Sequence, residues 1–497
     1  MRSLEIIFRE LPELRLLLEC IQYVSNDSWV VGGAVRDTLA GSTHISDFDV
    51  VAMGGAQSIT EKLRRDLDLP FAYIPLDETR GIFRLVSRLH PKLSIDVCDP
   101  KSGAGIESDL RSRDFTINAM AVKVGDLLKT GLTRVTDPLG GQKDLADRVI
   151  NACSSHTFSD DPLRILRAYR FCAQKEFSID HTTLEAMRDA VPELEAVSGE
   201  RVRDELFLIL ETCRAGTTIC EMDKTGTPEH VVPEILALKG LEQNHYHHLD
   251  AWHHTIEVIT FLDKFMSRIP EMFGSIGQDI IAYLEHEPVL GRKRTAWLKF
   301  TALCHDLGKR ACMTRDTDGR IRFIGHEKLS AEQFATIGRR LRLSKREIKQ
   351  GSAVIAGHMR IAMALQENMT SRARRRLCAD YGTELIGLTL LGLADLAAAQ
   401  GPARSAATWS RAVARASVLL HSLFDRTDQP LPMLLTGHDI MRELGLPSGP
   451  NIGIMLNYIR ELQNKGVIQS PEQALNAIKA MAHDRNDEEA QNTKGDP

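Results

Sequence analysis

Residues 30 to 51 read VVGGAVRDTLAGSTHISDFDVV, and the acid pair near its end constrains the fold more than any other stretch of the chain. Apolar residues surround Asp47 and Asp49, so FDVVA reads as a strand. Side chains alternate faces along a strand, which puts both carboxylates on one side and Phe48 on the other. Two ionised acids on one face repel, and burial raises the cost. A divalent cation removes it; Mg2+ takes hard oxygen ligands, commonly one or two carboxylates together with substrate phosphates. Asp96 in KLSIDVCDP offers a third carboxylate, with Ile95 and Val97 facing a core. Two metals on such a triad can activate an attacking hydroxyl and neutralise a leaving pyrophosphate. Upstream, Gly32 and Gly33 end one strand and open the helix AVRDTLAG, a junction where backbone N–H groups can meet phosphate oxygens. Arg36, one turn in, can add a forked contact to a triphosphate.

At 497 residues the chain is too long for one ordinary core, so three or four packed units are expected. Hydrophobic residues make up 43% and charged residues 26%, as in soluble globular proteins, and no apolar run reaches membrane-spanning length. The first residues, MRSLEIIFRELPEL, read as an amphipathic helix and not as a signal peptide. Nine cysteines are scattered without a CxxC pair, which fits reduced thiols and a cytoplasmic protein. A net charge of −5 confines any nucleic-acid surface to a local patch, and 5% aromatics argue against a stacking platform for single strands. The basic clusters RARRR (372–376) and GRRLRLSKREIK (338–349) are candidate phosphate contacts.

Strand-like runs (SWVVGG, FDVVA, FAYIPL, GIFRLVSRL, KLSIDVC and MAVKV) crowd into the first 150 residues with helical stretches between them. From about residue 156 the periodicity turns helical and stays so almost to the end. The expected class is multidomain, α/β followed by α. The units expected are a head over 1–155, a helical neck and body over 156–240, a His/Asp-rich helical domain over 241–400, a helical tail over 401–483 and disorder over 484–497. GPARSAA at 401–407 reads as a connection between helices.

The glycine pair and acid pair, in strand–turn–helix–strand order, resemble the signature of class II nucleotidyltransferases of the polymerase-β superfamily, the tRNA nucleotidyltransferase/poly(A) polymerase family. RSRDFTINAMA (111–121) is similar to that family's second motif, with Ser112 interrupting the usual run of arginines. DPLGGQKDLADRVI (137–150) resembles the third, SDDPLRILRAYRF (159–171) the fourth with Asp160 where Glu is commoner, and SGERVRDEL (198–206) the fifth. The resemblance implies a polymerase-β-like head with a mixed sheet, a helical neck and body, and a helical tail that helps hold the RNA acceptor. It also implies Mg2+ in the head, CTP and ATP as substrates, and the tRNA 3′ acceptor end or another RNA 3′ end as partner. Arg113, Asp114 and Asn118 would then position sugar and triphosphate, and Arg167 would join the nucleotide site.

The fourth motif offers a way to choose a base without a template. Pro162 suits a first helical position with Asp161 as N-cap, and Arg164 follows on the same side of that turn. A carboxylate only accepts hydrogen bonds and a guanidinium only donates them. Asp161 can accept from the exocyclic amine of cytosine or adenine while Arg164 donates to the adjacent ring nitrogen. Uracil and guanine present the reverse pattern and would leave buried groups unpaired.

Farther along, His254, His305, Asp306 and Asp395 occur in the order of a metal-dependent HD phosphohydrolase domain, and HHLDAWHHT, LCHDLGK and FIGHEKLS resemble the HD module fused to many bacterial members of the family. The choice of His254 over His253 as ligand is implied by the family spacing alone. His326 and His358 add ligands enough for a second metal. Imidazoles and carboxylates suit a transition metal such as Mn2+, Ni2+ or Fe2+. Neighbours 305 and 306 are expected to diverge around a helix, with the ion between their directions. A phosphatase or 2′,3′-cyclic phosphodiesterase activity is the corresponding expectation. The reading taken is addition of C, A or both to the 3′ end of tRNA. CCA, CC-only, A-only and poly(A) synthesis are all compatible with Asp161 and Arg164, poly(A) polymerase being the close alternative. The intact Asp47/Asp49 pair and the base-reading motif speak against a chain that is mainly a phosphohydrolase, and the oligomeric state is left open.

Overall fold

The computed structural model describes every residue except 1, 43–44, 46, 54, 67–68, 91, 102–104, 131–133, 244–248, 290, 402–404, 425–432, 448, 465–466 and 493–497. Part of the His-rich block (244–248) and part of the predicted connection at 401–407 (402–404) therefore lie outside the described residues.

All six strand-like runs become strands of one mixed sheet: β1 (Ser28–Val31), β2 (Asp47–Ala52), β3 (Phe71–Asp77), β4 (Ile82–Ser87), β5 (Ser94–Cys98) and β6 (Ala121–Lys123). Their order across the sheet is β3-β4-β5-β2-β1-β6. Only β2 and β5 run parallel; every other pairing is antiparallel. Strand alternation sorts the faces. Val30, Phe48, Val50, Phe83, Leu85, Ile95 and Val97 are buried in a core with Leu14, Leu17 and Ile21 of the helix Pro12–Val24 and with Ile59 and Leu63 of the helix Ala56–Asp66. On the other face Val31, Val51 and Ala121 pack with Leu110 and Ala119, and the acids of β2 share that face. Covering one face with helices leaves the opposite face available for chemistry.

Past the sheet the chain is almost entirely helical, apart from two-residue strands such as Val149–Ile150 and Ser178–Ile179. The ring of Phe115, fully buried, meets Phe171 of the helix Arg164–Lys175 edge-on at 5.8 Å, joining the second and fourth motifs through apolar packing. A buried phenylalanine of this kind contributes about 2–3 kcal/mol. Farther on, the helices Ala251–Met266, Arg294–Cys304, His326–Arg340, Lys345–Gln366 and Glu384–Gln400 carry the His/Asp blocks. Two of these have strong starts: Asp250 caps the first through the His253 N–H, and Ser344 with Glu347 forms a capping box on Lys345–Gln366. No single described helix is long and apolar enough to cross a membrane.

Residue contacts divide the chain into two compact units, one of Met1–Asn368 with Ile386–Ser417, the other of Met369–Leu385 with Val418–Pro497. The second has its own core of Leu435, Ile440, Ile452, Met455, Ile459, Ile468, Ala474 and Ile478. Its last helix runs Pro471–Asn492, beyond residue 484 where the lack of apolar anchors predicts disorder. Ala474 and Ile478 anchor its first turns, and once a helix is nucleated, Glu, Gln and Ala extend it at little cost.

Candidate nucleotide and metal sites

β2 and β5 pair in register, with Asp49 beside Asp96 and Phe48 beside Ile95. In-register residues of a parallel pair point to the same face, so Asp47, Asp49 and Asp96 gather on the face away from the helices. The Ser94 hydroxyl donates to Asp47 at 2.7 Å. Burial pushes the Asp49 carboxyl above the usual carboxylate range, Asp96 and Asp47 push it further, and Arg113 pulls against them. A buried carboxyl raised by two like neighbours is the charge deficit that a hard divalent cation corrects, so the donor set fits Mg2+.

Gly32 lies at the head of this row. Its φ of +70° is strained for any other residue, and a Cβ there would meet Arg113 Nη1 at 3.0 Å and Asp49 Oδ2 at 3.4 Å. Gly33 opens the helix Gly33–Leu39 directly behind it. Arg36 on that helix is buried: its fork sits on Asp37 (3.0 and 2.8 Å), and it donates to Asn118 Oδ1 at 2.5 Å under the ring of Phe171. Asn118 in turn donates to Asp114 Oδ1, while Arg167 Nε and Nη2 both bond Asp114 Oδ2 at 3.0 and 2.8 Å. Burial alone would raise Asp114, but Arg167 and the Asn118 amide hold its carboxyl below the usual range. Arg167 and Arg170 both reach Glu205 of the fifth motif. Four predicted nucleotide residues thus form one polar chain, Arg36, Asn118 and Asp114 buried and Arg167 half-buried at its end. Arg113 is itself tied to Asp109 at 3.0 Å.

The base-reading pair differs locally from expectation. The regular helix begins at Arg164 and not at Pro162; a turn over Pro162–Leu163 precedes it, with the Leu163 N–H on Asp161 Oδ1 at 3.3 Å. Asp161 is extended (φ −155°, ψ 99°) and pairs with Arg201 of the helix Gly199–Leu210 at 2.7 Å, not with Arg164. Arg164 donates to the backbone carbonyls of Thr157, Ser112 and Arg113. Arg84, Arg201 and Glu205 are the residues that sequence reasoning passed over. The last two lie inside the fifth motif; the first has no sequence signal beyond a lone arginine in an apolar strand.

The second cluster draws on five helices: His254 and His326 sit in first turns, His305 and Asp306 just past an end, and His358 and Asp395 within helix interiors. His305 and Asp306 do not diverge around a helix as expected, because Arg294–Cys304 stops just before them and both side chains leave the break inward. Potential ligand atoms fall into two sets, His254 with His305 and Asp395, and Asp306 with His326 and His358. His254 Nε2 lies 3.0 Å from Asp395 and 3.8 Å from Asp306, whereas His253 turns out to Asp250. Three rings share one device: Nδ1 of His305, His326 and His358 lies 2.7 Å from the carbonyl three residues upstream. A carbonyl only accepts, so each Nδ1 carries hydrogen and each Nε2 offers a lone pair inward. There the lone pairs meet acceptors: His326 and His358 Nε2 are 3.2 Å apart, and His305 Nε2 is 3.1 Å from Asp306 Oδ2. His305 Nε2 is buried without a hydrogen-bond partner. Only a cation or a proton between them removes the repulsion, so nitrogen and oxygen donors converge as a transition metal requires. Burial, with His305 and His326 adding charge nearby, pushes His358 down to about 4. Lys309 closes the site, its ammonium 2.7 Å from Asp306 Oδ2 and bonded to Gln243.

Residues 28–151 match the family model described as the poly A polymerase head domain, and residues 176–238 match the probable RNA- and SrmB-binding site of polymerase A. The chain is 31% identical to the A-adding tRNA nucleotidyltransferase of Deinococcus radiodurans, over 92% of this chain and 95% of that one. It is 30% identical to the CC-adding tRNA nucleotidyltransferase of Thermus thermophilus, over 91% and 93% of the two chains. Among solved structures, the Thermotoga maritima CCA-adding enzyme complexed with tRNA aligns over 96% of this chain and 98% of its own, with a TM-score of 0.58 at 22% identity; at that identity it speaks for the fold.

Proposed function

Since the chain belongs to the tRNA nucleotidyltransferase family and is an RNA nucleotidyltransferase, we propose that it adds CMP, AMP or both, taken from CTP and ATP, to the 3′ end of tRNA. The observation that carries this reading is the in-register acid row of β2 and β5 opening beside the Gly32 turn, with Asp161 and Arg164 on the adjoining helical segment. Asp47, Asp49 and Asp96 would hold Mg2+, which neutralises triphosphate charge and makes pyrophosphate a better leaving group. Gly32 leaves the backbone bare where phosphates approach, and Arg113 stands beside it. Asp161 accepts from the amine of cytosine or adenine, each of its oxygens keeping a second lone pair beyond the Arg201 and Leu163 bonds, and Arg164 donates to the ring nitrogen.

The test is extension of tRNA transcripts ending before, within and after CCA, each nucleotide supplied separately and product lengths read on a gel. Defined additions of one to three residues support the reading. A long A tail on unrelated RNA would instead identify a poly(A) polymerase.

A second activity is favoured by the two adjacent ligand sets, linked by the 3.1 Å approach of His305 to Asp306. A divalent transition metal such as Mn2+, Ni2+ or Fe2+ bound there suits hydrolysis of phosphomonoesters or 2′,3′-cyclic phosphates at damaged RNA ends. Metal-loaded protein that cleaves neither substrate, with no change in His305→Ala, removes this activity and leaves the cluster a structural role.

A further inference from the structure

Asp96 does not stand free in its row. Arg84 lies in register with it across β4 and β5, on the same face. The guanidinium takes both carboxylate oxygens, Nε to Oδ1 at 2.7 Å and Nη2 to Oδ2 at 2.8 Å. The fork is the strongest geometry available to such a pair. It is also accessible: the Arg84 side chain is 40% exposed and that of Asp96 21%. The row therefore reads Arg84, Asp96, Asp49 across three adjacent strands, a fixed positive charge at one end of an acid cluster.

We propose that Arg84 is a positioning residue of the transfer site that withholds Asp96 from a divalent cation until the nucleotide's phosphates arrive. The inference rests on the reading of the head as a nucleotidyltransferase site. With the fork closed, a cation reaching Asp96 must share an oxygen that already accepts a charge-assisted hydrogen bond and sit near a guanidinium. Triphosphate oxygens change that balance: they offer Arg84 a second anionic partner of matching geometry and supply the ion with further hard ligands. Metal occupancy is thereby tied to nucleotide occupancy.

The experiment is Mn2+ binding to the full chain, followed by electron paramagnetic resonance with the His/Asp cluster silenced by His305→Ala and His358→Ala in every variant. Without nucleotide, Arg84→Ala should bind Mn2+ about tenfold more tightly than the parent, because a positive charge has been removed beside the ion. Arg84→Lys, which keeps charge and loses the fork, should fall between. Adding Asp96→Asn to Arg84→Ala should cancel the gain. With a non-hydrolysable CTP analogue present, parent and Arg84→Ala should converge. Unchanged or weaker Mn2+ binding in Arg84→Ala, with a circular-dichroism melt like the parent's, overturns the proposal; should Arg84→Ala fail to fold, Arg84→Lys alone decides by the same criterion. The parent's own nucleotide transfer is scored in parallel, so failure of the transferase reading shows there, independently of the metal titration.

Discussion

The two acid-bearing sites of this chain solve one electrostatic problem in opposite ways. On the sheet, Asp47, Asp49 and Asp96 share a face and Asp49 is raised by burial and by its fellow acids. Among the helices, burial would likewise raise Asp306 and Asp395, yet His305 and Lys309 hold Asp306 low and His254 holds Asp395 low. The sheet's acids meet cations only at their edges, Arg84 on Asp96 and Arg113 near Asp49, and Asp49 stays raised, which suits a hard ion arriving with phosphates. The mixed row has already spread its charge over imidazoles, so it suits a resident metal. Strand geometry and helix packing dictate the difference. A strand can repeat one residue type on one face every second position, whereas converging helices bring unlike residues from distant segments.

The sharpest way to break that contrast is Asp49→Asn. It should cost on the order of 10³-fold in CTP and ATP transfer while leaving the phosphate-ester hydrolysis proposed for the helical cluster within about twofold. Equal loss of both activities would mean the sites are not independent. In the neck, Asp161→Ala should lower discrimination against UTP and GTP by roughly tenfold or more, with a smaller effect on overall transfer, since one polar partner is worth about 1–3 kcal/mol. Unchanged selectivity ends the base-reading assignment. His305→Ala should strip transition metal from the purified protein, measured by mass spectrometry of the elements, while transfer of CMP changes by less than about twofold.

The smallest effect is in pH. His358 is pushed down to about 4 from an ordinary 6.5, so on acidification the unfolded chain takes up a proton that the native ring refuses. Stability of the metal-free helical cluster therefore falls as pH drops below about 6.5, by about 1 kcal/mol at pH 5.5 from this ring; His305, raised, offsets part of it. Asp49 has the opposite sign for folding: its carboxyl is raised, so the native state gains protons first, and mild acid steadies the head while weakening its hold on a divalent ion. Hydrogen exchange at pH 7 and 5.5, corrected for intrinsic rates, should show loss of protection in the helices around His305 and none in β2. A uniform change across both regions contradicts the contrast.

Alternation and glycine punctuation carried most of the head into view. All six strands were legible because each is an apolar run bounded by turn residues, and the acid pair was legible because period two puts residues 47 and 49 on one face. The partners of those acids were not. The short link between β4 and β5 favours their pairing, but the register that sets Arg84 on Asp96 is supplied only by the folded sheet. The same holds for Arg201 on Asp161, forty residues apart. The start of the helix at Arg164 was misjudged because an N-cap rule places the first turn by residue type, while here the Pro162–Leu163 turn intervenes. His254 and Asp395 were reached only through resemblance, since their contact spans 141 positions.

One link described above bears on how two differently sized bases are accommodated. Arg164 hangs from the carbonyls of Ser112 and Arg113, the same segment whose side chain stands beside Gly32. A pyrimidine and a purine set their ring nitrogens at different depths, so if Arg164 donates to them as proposed, a shift of its arm reaches the loop that lies against Gly32. On that proposal the base end and the phosphate end of the site are coupled through one arginine, and a substitution that loosens the tether should blur fidelity even though it touches neither base nor metal.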